Sequence, residues 1–288
     1  MPINPISHSD TDEELDYCLT TPKGSRLQLR GPLPTIDKRF IAVLGGSETF
    51  GRYVRDPFPT LLSDWVDVPV ANLGVPYAGL SLFSDEKILL DISSRAEVTV
   101  LQILGAQNMS NRLYRVHSRR NDRFIGASPA LQSLFPSVDF AEINFTGHLL
   151  NRLRETSEDG FQVVVDELKW AWVQRMRRLL KLIGRDVILL WISAQVSDVG
   201  GSAEPHFVDR KMLENACDDP CEVVEVALKG PVSLKGKLFP AQEADAALKM
   251  PGSADHRRIA ESLAPLVRAR FGQGRTNRTA PPQVRVSR

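Results

Sequence analysis

The chain has 288 residues, 42% of them apolar and 25% charged, which is an ordinary globular composition that can bury a sizeable core. Its formal net charge of +1 argues against a general attraction to nucleic acid or to a membrane surface. We expect no signal peptide and no membrane span, because the first residues lack a basic and an apolar region and no apolar run approaches ~18 residues. The cysteines, Cys18, Cys217 and Cys221, show no framework or zinc-ligand spacing, which predicts reduced thiols in a cytoplasmic protein without a metal.

Apolar runs that alternate with helical patterns predict the order of elements along the chain. A possible edge strand at 25–31 comes first. The predicted main strands are 39–45, 67–74, 98–105, 186–193 and 221–228. The predicted helices are 58–66, 80–95, segments within 129–183, 208–216, 241–249 and 255–270. Strands that alternate with helices indicate a three-layer α/β/α sandwich with a mostly parallel sheet of about five strands and flavodoxin-like winding.

Composition shifts divide the chain into three regions. Residues 1–24 are predicted to form an N-terminal extension, and residues 25–270 a single α/β domain. Within this domain, a mostly helical insertion at about 111–185 separates the third and fourth main strands. Residues 271–288 carry arginines and no acid, which predicts a disordered basic tail.

The stretch GGSETFG (45–51) ends the first main strand and is the first candidate site. Its glycine spacing resembles a phosphate loop, G-x-x-x-x-G-K-S/T, but Arg52 and Tyr53 replace the lysine and the hydroxyl residue. The dinucleotide pattern G-x-G-x-x-G is absent as well, so we expect no nucleotide cofactor, and no cofactor of another kind is indicated. A nucleophile elbow, G-x-S-x-G, would need glycine at Thr49.

Four segments at the ends of predicted elements resemble the SGNH, or GDSL-like, hydrolase superfamily. They are Gly45-Gly46-Ser47, Asn72-Leu73-Gly74, Gly105-Ala106-Gln107-Asn108 and the segment from Met250 to His256. The resemblance implies an SGNH-like α/β sandwich. The stretches GGSETFG, ANLGVPYAG, GAQNMSNR and SRRNDRF also resemble an uncharacterised bacterial domain family.

The SGNH resemblance implies a role for each matching residue. Ser47 would be the nucleophile and His256 its general base, while the Gly74 N–H and the amide of Gln107 or Asn108 would bind the oxyanion. This sequence departs from the pattern in having Gly46 and Ser253 where the family has aspartates.

Each of these residues also has a structural interpretation. Ser47 is a possible helix cap, and Asn108 is able to hold its own loop through backbone hydrogen bonds. His256 begins the last predicted helix and is a possible surface residue. His206 follows the fourth main strand and is the second candidate for the base.

The segment NRLYRVHSRRNDRF (111–124) is rich in arginine and leaves the third main strand at the same edge as Ser47. Arg112, Arg115, Arg119 and Arg120 are predicted to bind an anionic group of the substrate, because guanidinium groups match carboxylates and phosphates. The alternative is a solvated loop paired with nearby acids. Interleaved aromatic residues are too few for a nucleic-acid platform.

We therefore expect a serine ester hydrolase or O-acyltransferase of the SGNH type, acting on a small or saccharide-type substrate that bears an anionic group. The alternative is a non-catalytic SGNH-like module that binds an anionic ligand or a protein partner. That alternative predicts that Ser47 and His256 do not hydrogen-bond. A third hypothesis is group transfer from an anionic donor such as a nucleotide sulfate.

Overall fold

The computed structural model describes residues 15–36, 38–184, 186–193, 207–218, 221–228 and 233–272. The strands in these ranges are β1 (Ile41–Gly45), β2 (Val70–Gly74), β3 (Val98–Gln102), β4 (Tyr114–Val116), β5 (Phe124–Ala127), β6 (Val187–Ser193) and β7 (Glu222–Ala227). The α-helices in the same ranges are α1 (Ser47–Phe50), α2 (Phe58–Val66), α3 (Leu80–Asp85), α4 (Lys87–Arg95), α5 (Pro129–Leu134), α6 (Thr146–Thr156), α7 (Glu158–Ile183), α8 (Arg210–Ala216), α9 (Ala244–Leu248) and α10 (Ser253–Gly272). Short 3-10 turns occupy Phe140–Glu142 and Ala241–Glu243.

The main sheet has five strands in the order β2-β1-β3-β6-β7, and all of its strand pairs are parallel. This is the flavodoxin-like order of doubly wound sheets. The register pairs Gly45 at the end of β1 with Gly74 at the end of β2, so both strands end at the same edge. The predicted α/β fold with a parallel sheet of about five strands is confirmed.

Helices cover both faces of the main sheet, which explains why β1 and β3 are buried along their whole length. Successive side chains of a strand point to opposite faces. Ala42 and Leu44 accordingly pack in one core with α3, α4 and α7, whereas Ile41 and Val43 pack in another core with α2 and α10. The predicted three-layer arrangement is therefore confirmed.

The long helix α7 is fixed at its start and along its buried face. The Ser157 hydroxyl caps the helix by accepting a hydrogen bond from the Gly160 N–H at 3.1 Å. Trp172 is completely buried and donates from Nε1 to the Leu104 carbonyl at 2.8 Å. This bond attaches α7 to the segment that follows β3.

Most of the insertion is helical, with α5, α6 and α7, and it begins with an antiparallel hairpin of β4 and β5, in which the aromatic ring of Tyr114 is buried. Two local predictions are wrong. Residues 25–31 contribute an isolated bridge from Leu29 to Thr20 instead of an edge strand. The helix predicted at 80–95 is divided at Glu86, whose extended backbone ends α3 and precedes α4.

The N-terminal segment packs against the loop that follows α1. Arg30 is buried, and its guanidinium group donates to the carbonyl oxygens of Gly51 at 2.7 Å, Val54 at 3.0 Å and Arg55 at 2.6 Å. The Tyr17 ring contacts the Phe50 ring with a centroid distance of 5.0 Å. Part of the predicted extension thus supports the main domain, while residues 1–14 and the predicted tail from residue 273 onward lie outside the described ranges.

The prediction of reduced thiols is wrong for two of the three cysteines. Cys217 and Cys221 form a disulfide with a Cα–Cα distance of 6.2 Å, and Cys18 is free and exposed. Cys217 follows α8 and Cys221 precedes β7, so the connection between these elements brings the sulfur atoms together. The sequence spacing alone did not reveal this approach.

Candidate functional site

The carboxyl ends of β1, β2 and β3 meet at one edge of the main sheet, where ligands bind in open parallel sheets. Ser47 follows β1, Tyr77 follows β2, and Gln107 and Asn108 follow β3. His256 lies elsewhere in the chain, in the first turn of α10. The structure therefore collects most of the predicted catalytic side chains at one edge, but how they are bonded differs from the prediction.

Ser47 is the first residue of α1, and Gly46 occupies the N-cap position. The Ser47 hydroxyl oxygen accepts a hydrogen bond from the Tyr77 backbone N–H at 3.2 Å, and the residue is only 6% exposed. The interpretation of Ser47 as a helix cap is therefore wrong, because α1 has no side-chain cap. Ser47 instead joins the start of α1 to the loop after β2.

Gln102, the last residue of β3, organises the loop that carries Ser47. Its Oε1 accepts hydrogen bonds from the Gly46 N–H at 2.9 Å and the Thr49 hydroxyl at 2.7 Å, and its Nε2 donates to Glu48 Oε2 at 2.9 Å. Sequence reasoning missed this residue. The available signal was an amide side chain within the apolar run VTVLQILG, because a buried amide requires hydrogen-bond partners.

Glu48 also offers a physical reason for glycine at position 46, where the SGNH pattern has an aspartate. A Cβ atom at Gly46 would lie 3.1 Å from Glu48 Oε2 and 3.2 Å from Leu104 Cδ2. An aspartate at this position would crowd both neighbours and place two carboxylates side by side, which disfavours their charged forms. Glycine at position 46 therefore leaves room for the Glu48 carboxylate.

Gly74 does not offer the free N–H that the sequence predicted for an oxyanion. Its N–H donates to Asn72 Oδ1 at 3.0 Å, and Asn72 Nδ2 donates to the Thr49 carbonyl at 3.0 Å. A Cβ atom at Gly74 would lie 2.3 Å from the Phe50 backbone nitrogen. Glycine is needed here because α1 approaches β2 closely, so the residue has a packing role.

The predicted amide donors, Gln107 and Asn108, differ in how their side chains are bonded, because the buried Gln107 Oε1 has no hydrogen-bond partner among the described residues. Asn108 Oδ1 accepts a hydrogen bond from the Thr146 hydroxyl at 2.7 Å. The Gln107 side chain folds over Gly105, whose Cβ atom would lie 2.2 Å from Gln107 Oε1. Neither amide shares a hydrogen-bond partner with Ser47 in the described part of the chain. The oxyanion-binding role of these two amides stays a prediction.

His256 is completely buried where α10 packs against α2. Its Nδ1 accepts a hydrogen bond from the Phe58 backbone N–H at 3.1 Å, and its ring stacks on the Phe58 ring with a centroid distance of 6.0 Å. Its Nε2 has no hydrogen-bond partner among the described residues. The first N–H groups of a helix have no partner within the helix, and His256 satisfies one of them at the start of α2.

No described hydrogen bond joins His256 to Ser47, for which it was the predicted base. The Ser47 hydroxyl is bonded to the Tyr77 N–H, and the acceptor nitrogen of His256 is bonded to Phe58. Desolvation, reinforced by the charges of Arg30 and Lys237, lowers the pKa of His256 to about 3. A proton taken from Ser47 would have to enter an apolar interior near two cations, which is unfavourable.

The other groups considered for the triad do not replace His256. Asp255 accepts a hydrogen bond from the Gly252 N–H at 3.1 Å and pairs with Arg258, so its carboxylate supports the start of α10. Ser253 is the first residue of this helix. The second candidate for the base, His206, lies outside the described residues.

Of the four arginines predicted to bind substrate, one contacts α7 and another is exposed on β4. Arg112 donates from Nε to Glu167 Oε2 at 2.7 Å and stacks on Trp170 with its guanidinium carbon 4.6 Å from the ring centroid. Both contacts are to α7. Arg115 is exposed in β4. A substrate contact of these two residues stays a prediction.

Arg119 and Arg120 line an open groove of about 430 Å³. The groove is bounded by the N-terminal segment, the loop after β2 and the hairpin turn between β4 and β5. Lining residues from the first two segments include Arg26, Leu27, Val75 and Tyr77. The Tyr77 N–H binds Ser47, so the groove and the Ser47 loop share one residue.

Tyr77 has a left-handed backbone with φ of 60°, a conformation that costs on the order of 1 kcal/mol for a residue other than glycine. Arg52 donates one hydrogen bond to the Tyr77 hydroxyl and another to Glu243 Oε2 at 2.8 Å. The Tyr53 hydroxyl donates to the same carboxylate oxygen at 2.7 Å, and burial raises the pKa of Tyr53. These contacts fix Tyr77 between the groove and Ser47.

A comparison with protein families identifies the family of this chain. The family model described as a domain of unknown function, DUF6473, matches residues 6–271. The chain belongs to this family. The DUF6473 description names no activity, and the predicted likeness to an uncharacterised domain family is confirmed.

A relative of the DUF6473 chain is the inner membrane protein YhjD of Escherichia coli strain K12. It is 23% identical over 220 residues, which cover 74% of this chain and 60% of that protein. The chain thus matches less than two thirds of that relative's length. Among the residues described, no helix combines the length and the apolar character needed to cross a membrane.

Two solved structures are similar to the DUF6473 chain. The lipase Lip_vut3 from a goat rumen metagenome has a TM-score of 0.41 and 14% identity, over 83% of this chain and 99% of that one. The lipase/acylhydrolase from Enterococcus faecalis has a TM-score of 0.39 and 13% identity, over 81% of this chain and 97% of that one. Scores this low carry no conclusion, so the fold class rests on the observed sheet.

Proposed function

We propose that this DUF6473 chain is an SGNH-like module that binds a small anionic ligand at the carboxyl edge of its sheet and does not use Ser47 and His256 as a catalytic pair. The observation that carries the proposal is the burial of His256, whose Nδ1 is engaged by the Phe58 N–H. A serine hydroxyl is a weak nucleophile until an adjacent base takes its proton. Without such a base, Ser47 acts as a hydrogen-bonding residue.

The surroundings of Ser47 suit a bound anion. Its oxygen already accepts a hydrogen bond from the Tyr77 N–H, and a serine hydroxyl retains one hydrogen to donate. Arg119 and Arg120 line the groove to which Tyr77 also belongs. Hydrogen bonds from guanidinium groups to anionic oxygens are stronger than those between neutral groups, which favours an anionic ligand over a neutral one.

A fluorophosphonate probe tests this proposal, because the probe reacts with activated serines. We expect the wild type to be labelled no more than Ser47→Ala, with an active serine esterase as the positive control. Circular dichroism of both proteins establishes that they are folded. Strong labelling of the wild type that disappears in Ser47→Ala would overturn the proposal.

Ester hydrolysis or O-acyl transfer by Ser47 is the second candidate, with a small or saccharide-type substrate that carries an anionic group. The position of Ser47 directly after β1 favours it, because the SGNH pattern has its nucleophile there and ligands bind at this edge of parallel sheets. This candidate requires a base other than His256. If labelling depends on Ser47, a folded His256→Asn variant that is still labelled would establish that requirement.

A further inference from the structure

The groove beside Tyr77 is positively charged because arginines from two distant segments line it. Arg26 comes from the N-terminal segment, and Arg119 and Arg120 come from the hairpin turn. Arg119 pairs with Glu86 at 3.5 Å, and Arg120 pairs with Asp122 at 3.9 Å. Arg26 has no ion pair among the described residues. The three arginines are therefore balanced by only two carboxylates there, and both ion pairs are at least 3.5 Å long. An incoming anion can therefore be bound by all three guanidinium groups.

The hairpin turn is held in place before any ligand binds. Asn121 is buried and donates from Nδ2 to the His117 carbonyl at 2.9 Å, while its Oδ1 accepts a hydrogen bond from the Gly79 N–H at 2.7 Å. His117 Nδ1 accepts hydrogen bonds from the Arg119 N–H at 3.2 Å and the Arg120 N–H at 3.1 Å. The turn is thus hydrogen-bonded to the loop that carries Tyr77. Because the site is already ordered, a ligand pays a smaller entropy cost on binding.

The groove also has an apolar side. Leu27 and Val75 are buried residues whose surfaces contribute to its lining, and Pro76 completes this side. A ligand that fills the groove would therefore present an anionic group to the arginines and an apolar group to these side chains. The three arginines favour a dianion over a monoanion, because each guanidinium group adds a charge-assisted contact.

We propose that this groove is a binding site for a dianionic phosphate monoester with an apolar substituent. The inference rests on the proposed function in one respect, namely that an anionic ligand binds at this edge. It adds the ligand class and two features that sequence reasoning missed, Arg26 and the apolar side. Tyr77 lines the groove and its backbone N–H binds Ser47, so the groove borders the Ser47 loop.

Isothermal titration calorimetry with three probes tests the ligand class at about pH 8, where a phosphate monoester is a dianion. Phenyl phosphate has both the dianion and the apolar group, phenyl sulfate has the apolar group with a single charge, and inorganic phosphate has the charge alone. We expect phenyl phosphate to bind roughly tenfold more tightly than either of the others, which corresponds to one charge-assisted hydrogen bond. Equal affinities for all three probes would overturn the inference.

Two variants and a matched control test the location. Arg26→Gln and Arg119→Gln should each weaken phenyl phosphate binding roughly tenfold. Arg115→Gln removes the same charge from the same hairpin outside the groove lining, and should change the affinity less than about twofold. Unchanged affinity in both groove variants, with folding verified by circular dichroism, would overturn the inference.

The remaining outcomes separate this inference from the proposed function. Binding that survives Arg26→Gln and Arg119→Gln but is lost in Ser47→Ala would place the anion elsewhere at the edge, which overturns the groove site alone. Binding that depends on Arg26 together with probe labelling of Ser47 would overturn the non-catalytic proposal alone. An absence of heat with every probe at millimolar concentration would overturn both.

Discussion

At the scale of single residues, His256 shows how one side chain can match a catalytic pattern and have a structural role. It lies in the first turn of the last helix, where the SGNH resemblance placed a base. Burial and the bond from the Phe58 N–H convert it into a support for the start of α2. The sequence reveals the position of this histidine in the chain but not its depth, because burial depends on how α10 packs against α2.

The buried His256 makes the stability of the protein depend on pH. Its pKa is lowered from 6.5 to about 3 in the folded chain, so between these values the unfolded chain binds the proton and the folded chain does not. Stability from this residue is complete above about pH 6.5 and is lost as the pH falls toward 3, by up to about 1.4 kcal/mol for each pH unit. Urea unfolding at about pH 7.5, 6, 5 and 4.5 measures how steeply the free energy of unfolding falls as the pH is lowered.

His256→Asn is the reference for that measurement. An asparagine oxygen is able to accept the Phe58 N–H bond and does not titrate, so the variant should lose less stability on acidification than the wild type. Other titrating groups are common to both proteins and cancel in the difference. Parallel curves for the two proteins would contradict the prediction.

At the scale of secondary-structure elements, close contacts between α1 and the ends of β1 and β2 shape the edge that carries Ser47. A Cβ atom at Gly45 would lie 2.0 Å from Thr49 Oγ1, and one at Gly74 would lie 2.3 Å from the Phe50 nitrogen. The glycines that resemble catalytic motifs in the sequence are therefore also required by packing. A glycine at the end of a strand is therefore not by itself evidence for an oxyanion site, because close packing alone accounts for it.

We expect Gly74→Ala to destabilise the protein by about 1–3 kcal/mol, because the added methyl group would collide with the backbone of α1. Gly147→Ala is the matched control, since a Cβ atom at this exposed position in α6 meets nothing within 4 Å. The control should gain about 0.5–1 kcal/mol from reduced backbone freedom. Urea unfolding at neutral pH compares the two, and a Gly74→Ala protein as stable as the wild type would contradict the expected collision.

Strands were easier to predict than the connection between β3 and α5. The runs RFIAVLG, VTVLQILG and DVILLWIS are apolar because both faces of their strands are covered, so the sequence pattern carries the structure directly. The hairpin of β4 and β5 is short and rich in arginine, and it depends on the buried ring of Tyr114 and on the contact of Asn121 with Gly79. Such long-range contacts leave no periodic signal in the sequence.

At the scale of the whole molecule, the disulfide between Cys217 and Cys221 bears on the environment in which the chain folds. Disulfides persist in oxidising surroundings and are rare in a reducing cytosol. The predicted cytoplasmic location rested partly on reduced thiols, and that premise does not hold for this pair. The location itself stays a prediction.

Reduction of the disulfide should lower the free energy of unfolding by about 2 kcal/mol, the loop-closure value for so short a loop. Urea unfolding with and without dithiothreitol measures this change. The Cys217→Ser, Cys221→Ser double variant should be insensitive to dithiothreitol, whereas Cys18→Ser should respond like the wild type because Cys18 is free. Three reactive thiols in the denatured, unreduced wild type would contradict the assignment.

The groove joins segments that are far apart along the chain, since Arg26 precedes β1, Tyr77 lies between β2 and β3, and Arg119 follows β3. Contacts of this kind form only after the intervening chain has been ordered, because each requires the closure of a long loop. Anion affinity should consequently appear late in refolding, after the parallel strands have paired. A nascent chain emerging from the ribosome would remain unable to bind the anion until the hairpin turn had been synthesised and fastened beside Tyr77.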